Sequence, residues 1–302
     1  YDYLASKKLL KHAPASAELI YVGKKGGVKH TYTQEEINQM LVDHALAGKT
    51  VVRLKGGDPF IFGRGGEEVE KLYEAGASFE VVPGVTSATA AATSAGIPIT
   101  YRDYTASVAF VTGHEDPTKE NSNIDWSKLS TGAGTLVIYM GIKNLPIIVE
   151  NLVKYGRDPK TPVAVVRWAS TPEQRSVVGT LETITQVVAD AEVKPPALII
   201  VGEVVRLRDT IDWYEKRPLF SKKIIVTRTR EQASDLVAGL VVPGGQLGVR
   251  RNRAEFDLTL VAATAHLVPP GPVAVRMALD VDGAGLQRRV HRRLREVEEE
   301  RL

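Results

Sequence analysis

The chain lacks cysteine, long apolar runs and any large excess of charge. Without cysteine, disulfide frameworks, thiolate metal sites, iron–sulfur clusters and cysteine nucleophiles are excluded. No apolar run approaches the roughly 20 residues that a membrane-spanning helix needs. A net charge of +3 is small for 302 residues and gives no reason to expect a nucleic-acid partner. These absences favour a globular protein of the cytoplasm.

The two ends of the chain are unusual. The opening residues contain neither an initiator Met nor the features of a signal peptide, so we expect the chain to begin inside a longer protein. Residues 241–302 hold no lysine but ten arginines, whereas lysine is frequent before them. This change indicates a separate origin for the tail, such as a fusion or a frameshift.

In residues 1–240, short β-branched runs alternate with helical patterns. Such alternation predicts an α/β fold with largely parallel sheets. The predicted strands are 19–22, 50–54, 79–82, 108–112, 135–139, 163–167 and 197–201. The predicted helices are 34–47, 67–75, 87–94, 144–154 and 181–191. The first helix has a capping box formed by Thr33 and Glu36, and Gly48 is expected to end it.

A polar stretch at 113–134 interrupts this alternation and predicts a loop between two lobes. We therefore expect an amino-terminal lobe at 1–104 and a second lobe at 105–215. Residues 216–302 are expected to form no independent domain.

The strongest local motif is the glycine-rich segment 56–67, which follows a predicted strand and precedes a predicted helix. Five glycines within residues 56–66 let the backbone approach a ligand closely. In open α/β sheets, ligands bind beyond the carboxyl ends of strands, which is where this segment lies. The motif is neither a P-loop nor a dinucleotide fingerprint. A tight turn is the alternative, but the many glycines with aromatic residues between them favour binding.

A second glycine turn, 82–87, also joins a strand to a helix. The hydroxyl and N–H groups of Thr86 and Ser87 could hold a polar ligand at the helix start. They could equally serve only to cap the helix. The sequence leaves both interpretations open.

Charged residues occur near predicted strand ends, and Arg53 is the most informative. A charge inside a β-branched strand is costly to bury without a partner, so Arg53 either binds a ligand, forms a structural ion pair or reaches the surface. The histidines show no metal-ligand spacing and no nucleophile motif accompanies them. Metal and serine-hydrolase chemistry are therefore disfavoured.

Taken together, several motifs closely resemble the tetrapyrrole methylase family. They are VVRLKGGDPFIFGRGGEE at 51–68, VPGVT at 82–86, AGIPITYRD at 95–103, VTGH at 111–114 and YMG at 139–141. The resemblance extends from the first residue to about residue 213, and it is strongest to the members that methylate uroporphyrinogen III. It implies a two-lobed homodimer with S-adenosyl-L-methionine in the cleft. It also implies two successive methylations that give precorrin-2 for sirohaem or cobalamin biosynthesis.

The resemblance also implies roles for particular residues. Cofactor contacts are expected from Gly56, Gly57, Asp58, Ile61, Thr86, Ser87, Met140, Ala169 and Ala197. Asp2 corresponds to the proposed proton acceptor and Lys24 to the proton donor. The substrate carries eight carboxylates, so we expect Arg53, Arg64 and Arg102 to bind them. No metal is expected.

Two departures from the family leave alternatives open. In the family, a strand and a glycine-rich loop precede the Tyr-Asp segment that opens this chain, so we expect an amino-terminally truncated member. Residues 218–240 resemble the start of uroporphyrinogen-III synthase, but residues 241–302 are too few to supply that enzyme's two domains. The alternatives are a related methylase acting on another precorrin, on ribosomal RNA or on diphthine, and an inactive cofactor-binding fragment.

Overall fold

The computed structural model describes residues 1–23, 32–114 and 123–222, together with the backbone of three short strands farther along. All of these residues belong to one compact unit, Tyr1–His266. Lys24 and the arginine-rich end of the chain lie outside the described residues.

The described residues form eight strands and seven α-helices. The strands are β1 (Val108–Thr112), β2 (Thr135–Tyr139), β3 (Pro162–Arg167), β4 (Arg175–Thr180), β5 (Ala197–Val201), β6 (Ile224–Val226), β7 (Gly248–Arg251) and β8 (Thr259–Ala262). The helices are α1 (Gln34–Leu46), α2 (Gly65–Glu74), α3 (Ser87–Ala95), α4 (Trp126–Gly132), α5 (Leu145–Lys154), α6 (Ile184–Asp190) and α7 (Arg208–Ile211). Short 3-10 helices occur at Lys7–His12, Ile142–Asn144 and Glu203–Leu207.

The main sheet has the strand order β1-β2-β5-β3-β4. Strands β1 and β2 are parallel, whereas the pairs β2–β5, β5–β3 and β3–β4 are antiparallel. The α/β class is confirmed, but the expectation of a largely parallel sheet is wrong. The physical reason is visible at β3 and β4, because the connection at 168–174 is too short for a parallel crossover, which needs a dozen or more residues. Strand β4 was not predicted from the sequence.

Both faces of the central strands are covered. One hydrophobic cluster packs α5 and α6 against the sheet through side chains such as Leu152 and Ile184, both fully buried or nearly so. The opposite cluster packs the alanines of α3, including Ala88 and Ala91, against the other face. This two-sided burial explains why β2, β3 and β5 have continuous apolar runs in the sequence. It also fixes the start of α3 against the end of β2.

The predicted strands at 19–22, 50–54 and 79–82 do not form, so those predictions are wrong. Segments 19–22 and 50–54 have isolated backbone hydrogen bonds to their neighbours, such as the Asp2 N–H to the Leu54 carbonyl at 3.2 Å and the Val22 N–H to the Tyr1 carbonyl at 3.1 Å. A β-branched run favours an extended backbone, but a strand also needs a continuous ladder of hydrogen bonds to a neighbour.

The predicted helices are present in the structure. Glu36 N–H donates to Thr33 Oγ1 at 3.1 Å and Thr33 N–H donates to the Glu36 carboxylate at 2.6 Å, which confirms the capping box. Gly48 follows the helix with a φ of 75°. The other predicted helices are present with shifted ends, the largest shift being the later start of α6. The predicted loop 113–134 is wrong in its last part, where Asp125 caps the short helix α4.

The three strands farther along the chain form an antiparallel sheet of order β6-β8-β7. Strand β6 lies within the segment 218–240. The division into lobes at 1–104 and 105–215, and the status of 216–302, stay predictions.

Candidate active site

The two glycine-rich segments meet through the Asp58 carboxylate. Its Oδ1 accepts the Phe60 N–H at 2.9 Å within the same loop, and its Oδ2 accepts the Gly84 N–H at 2.9 Å from the second turn. These bonds lower the pKa of Asp58 below its ordinary value, and the bond from Gly84 is the largest cause. The carboxylate therefore joins the loop at 56–66 to the turn at 82–87.

The glycines allow this close approach. Gly57 has a φ of 78°, a conformation that L side chains rarely adopt. A Cβ placed on Gly84 would overlap the Gly57 carbonyl oxygen, so only glycine permits the two backbones to touch there. A Cβ on Gly57 would lie 3.9 Å from the Ser87 nitrogen and the Thr86 Cα. The residues predicted to contact the cofactor from these two segments are therefore neighbours.

A third segment, the end of β2, contacts both glycine-rich segments. Tyr139 ends β2, and its phenol oxygen lies 2.6 Å from Thr86 Oγ1 and accepts the Ala88 N–H at 3.2 Å. Its ring lies 4.8 Å from the Phe62 ring, measured between centroids. Met140 comes directly after Tyr139 and is exposed. The structure thus brings the predicted contacts Thr86 and Met140 into one region.

Backbone strain is concentrated around this region. Non-glycine residues with a positive φ are uncommon and cluster at functional sites. They include Phe62, Arg64, Met140, Trp168 and Ser170, with φ between 49° and 61°. Phe62 and Arg64 lie in the glycine-rich loop, and Met140 and Trp168 directly follow β2 and β3. Ser170 lies two residues after Trp168.

The remaining predicted cofactor contacts lie nearby or at strand ends. Ile61 and Ala169 are partly buried against the hydrophobic cluster that contains α3. Ser170, which follows Ala169, donates from its hydroxyl to the Ala90 carbonyl of α3 at 3.4 Å. Ala197 begins β5 and pairs with Arg167. Gly56 packs against Leu4.

Arg53 is held in a network of charges. Its Nη2 lies 2.9 Å from Asp2 Oδ1 and its Nε lies 3.1 Å from Glu68 Oε1. Glu68 is buried and also accepts hydrogen bonds from Lys55 at 2.9 Å and from Gln34 at 3.3 Å. Of the interpretations open for Arg53, the structure shows the ion pair. A role in binding substrate stays a prediction, as does the role of Asp2.

The other predicted charged residues are distributed differently. Arg64 precedes α2 and pairs with Glu67, with Nε 2.8 Å from Oε1, on the surface. Arg102 is exposed in the turn closed by the bridge between Tyr101 and Thr105. Lys24 lies outside the described residues, so its prediction is untested.

Two residues of this region, Glu68 and Tyr139, were not identified from the sequence. Both lie inside the motifs that carry the family resemblance, as the last residue of one motif and the first of another. Their position in the motifs was a signal, but only the structure shows their partners.

Among residues 1–23, 32–114 and 123–222, no group of three His, Asp or Glu side chains lies close enough to hold a metal ion. Within the same described residues, no helix is both long and apolar enough to cross a membrane.

The geometry and the sequence relationships agree on the class of protein. A family model of the tetrapyrrole (corrin/porphyrin) methylases matches residues 1–185. The chain belongs to the tetrapyrrole methylase family.

Three individual relatives show how similar the chain is to named proteins and how much of it the similarity covers. The chain is 53% identical over 211 residues to an S-adenosyl-L-methionine-dependent uroporphyrinogen III methyltransferase of Methanosarcina barkeri, covering 70% of this chain and 82% of the relative. It is 53% identical to the siroheme synthase of Pseudoalteromonas atlantica over 71% of this chain, but spans only 46% of that longer protein. The solved structure of a uroporphyrin-III C-methyl transferase from Thermus thermophilus with S-adenyl homocysteine is similar, with 42% identity, a TM-score of 0.57 and coverage of 68% of this chain and 85% of that one.

Proposed function

We propose that this chain transfers methyl groups from S-adenosyl-L-methionine to two ring carbons of uroporphyrinogen III and so forms precorrin-2. The relatives from Methanosarcina barkeri and Thermus thermophilus carry names that describe this activity or its cofactor product. The single observation that carries the proposal is the contact between the two glycine-rich backbones, which Tyr139 joins to the end of β2.

The residues fit such a cofactor. Gly57 and Gly84 present bare backbone, Ser87 is exposed at the start of α3, and Met140 and Val85 offer exposed apolar side chains. This combination suits a ligand with a polar amino-acid part and a flat nucleoside part. When bound, the cofactor supplies an electrophilic methyl group on a sulfonium centre. The proposed contacts are Gly56, Gly57, Asp58, Ile61, Thr86, Ser87, Met140, Ala169 and Ala197.

The chain contributes chiefly by alignment and by limiting water. Holding two reactants in line contributes about 7–11 kcal/mol in well-oriented systems. Charge is dispersed during methyl transfer, so apolar side chains beside the reactants, such as Ile61 and Met140, favour the reaction over solvation of the charged reactant. Arg64 and Arg102 are exposed guanidinium groups of the kind that bind carboxylates in pairs of hydrogen bonds.

The ring must also lose a proton after methylation. In the proposal Asp2 accepts it, and Lys24 is the donor for a later proton transfer. The ion pair with Arg53 holds the Asp2 carboxylate in one orientation through its Oδ1 atom. Arg53 then acts mainly on Asp2, in addition to any contact with the substrate.

The proposal is tested by comparing Gly84→Ala with Gly66→Ala. A methyl group at 84 would collide with Gly57, whereas at 66 it would meet no atom within 4 Å. We expect Gly84→Ala to weaken S-adenosylhomocysteine binding, measured by calorimetry, by about tenfold or more, which corresponds to about 1.4 kcal/mol. Gly66→Ala should leave the affinity unchanged. Equal affinities in the two variants would contradict the proposed cofactor site.

The proposal also covers the oligomeric state, the cellular location and the arrangement of the lobes. It includes a homodimer in the cytoplasm, with lobes at 1–104 and 105–215 on either side of the cofactor cleft. The homodimer and the location rest on the family resemblance, and the place of the cleft is supported by the contact between Thr86 and Tyr139.

A further inference from the structure

Tyr139 touches both glycine-rich segments of the proposed cofactor site. The residue is 8% exposed at the end of β2. Its phenol oxygen reaches Thr86 and Ala88 at the second turn, and its ring contacts Phe62 of the first loop. One side chain therefore connects both segments to the central sheet.

The phenol oxygen replaces the usual cap of α3. Thr86 is the N-cap residue, and a threonine there ordinarily accepts a hydrogen bond from the second or third N–H of its own helix. Here the Thr86 side chain forms no such bond. The N–H of Ala88, the second residue of the helix, donates to Tyr139 instead. The first turn of α3 is thus capped from a strand of the sheet.

Strand β2 holds Tyr139 rigidly. All five residues of β2 are buried, and the strand is paired with β1 on one side and β5 on the other. A side chain packed in such an interior has little freedom to move. Phe110 of β1 also contacts the Tyr139 ring, at 6.0 Å between centroids. The position of the phenol oxygen is therefore set by the sheet and imposed on the turn.

We propose that Tyr139 is a positioning residue of the cofactor site. Its hydroxyl sets where Thr86 and Ser87 stand relative to the glycine-rich loop, and cofactor affinity depends on that placement. This inference rests on the proposed function, because it assumes that the two segments bind S-adenosyl-L-methionine. It adds a residue that is not among the expected cofactor contacts.

The test is Tyr139→Phe, which keeps the ring contacts and removes only the hydroxyl. The change leaves the Ala88 N–H and the Thr86 hydroxyl buried without this partner. We expect the Kd of S-adenosylhomocysteine, measured by calorimetry, to rise about five- to thirtyfold. The KM for uroporphyrinogen III should change by no more than about twofold. Tyr73→Phe removes a hydroxyl from a residue that is 75% exposed, and it should change neither quantity.

The outcomes separate the inference from the function. A lower Tm with an unchanged Kd would show that the hydroxyl only stabilises the fold, and would overturn the inference. If Gly84→Ala also left the Kd unchanged, the proposed cofactor site itself would be misplaced.

A second variant tests the same connection from the loop. Phe62 is 42% exposed, so Phe62→Leu should fold even where Tyr139→Phe does not. Loss of the aromatic contact should raise the Kd of S-adenosylhomocysteine about two- to tenfold. An unchanged Kd in a folded Phe62→Leu variant would contradict the role of Tyr139 in holding the loop.

Discussion

Residues 108–201 and residues 1–104 differ in how their extended segments are stabilised. In the first region five strands form a continuous sheet, and Leu136 and Ile199 are fully buried within it. In the described residues of the second region the extended segments make isolated hydrogen bonds, and Val52 and Val82 are 80% and 69% exposed. The candidate site lies where the regions meet. The glycine-rich segments are therefore placed by contacts to the sheet and to each other, and not by a ladder of their own.

The largest expected effect is the contrast between a buried apolar substitution in residues 108–201 and an exposed one in residues 1–104. Leu136→Ala removes a fully buried side chain from β2 and should lower the free energy of unfolding by about 2–5 kcal/mol. Val52→Ala, at an exposed position of the segment 50–54, should lower it by no more than about 0.5 kcal/mol. Urea unfolding followed by circular dichroism measures both. Similar losses would show that residues 50–54 are buried as deeply as the sheet.

The next effect concerns the charges that stabilise residues 1–104 in place of a ladder. Glu68→Gln removes the charge that Arg53 and Lys55 share, and should lower the free energy of unfolding by about 1–3 kcal/mol. Glu74→Gln, on the same helix, breaks a surface pair with Lys71 and should cost at most about 1 kcal/mol. The same urea titration applies. If the two variants are equally stable, the buried network does not hold this region together.

The smallest expected effect is the lowered pKa of Asp58, whose carboxylate joins the two glycine-rich segments. Bonds from Gly84 and Phe60 lower the pKa of Asp58 in the folded protein. Their stabilising effect is therefore fully present above the pKa of an unfolded aspartate, about 3.9, and is lost as the pH falls through the lower folded value. A carbon-13 NMR titration of the Asp58 carboxyl should have its midpoint below about 3.9. A midpoint at or above that value would show that the two segments are not joined in solution.

Local signals predicted much of the fold. The capping box at Thr33, the stop at Gly48 and the apolar runs of β1, β2 and β5 needed only neighbouring residues, and all are present. Strand β4 was missed because its residues are half exposed and lack a long apolar run. The strand at 50–54 was predicted wrongly because β-branched residues report a backbone preference, while a ladder depends on a distant partner.

In the candidate site, too, the sequence indicated individual segments but not the contacts between distant residues. Glycine spacing was enough to single out 56–67 as a candidate binding segment, whereas it left 82–87 open between ligand binding and helix capping. The pairing of Arg53 with Glu68 could not be read from the sequence, since fifteen positions separate them and either charge could have faced solvent.

The amino-acid sequence alone determined the family, the glycine-rich segments and the presence of most helices, because these depend on residue types at short spacing. The tertiary structure alone decided the antiparallel strand directions, the junction of Asp58 with Gly84 and the capping of α3 by Tyr139. The capping contact between Ala88 and Tyr139 joins residues 51 positions apart. Such contacts exist only after the sheet has packed, because only then do the distant partners come within hydrogen-bonding distance.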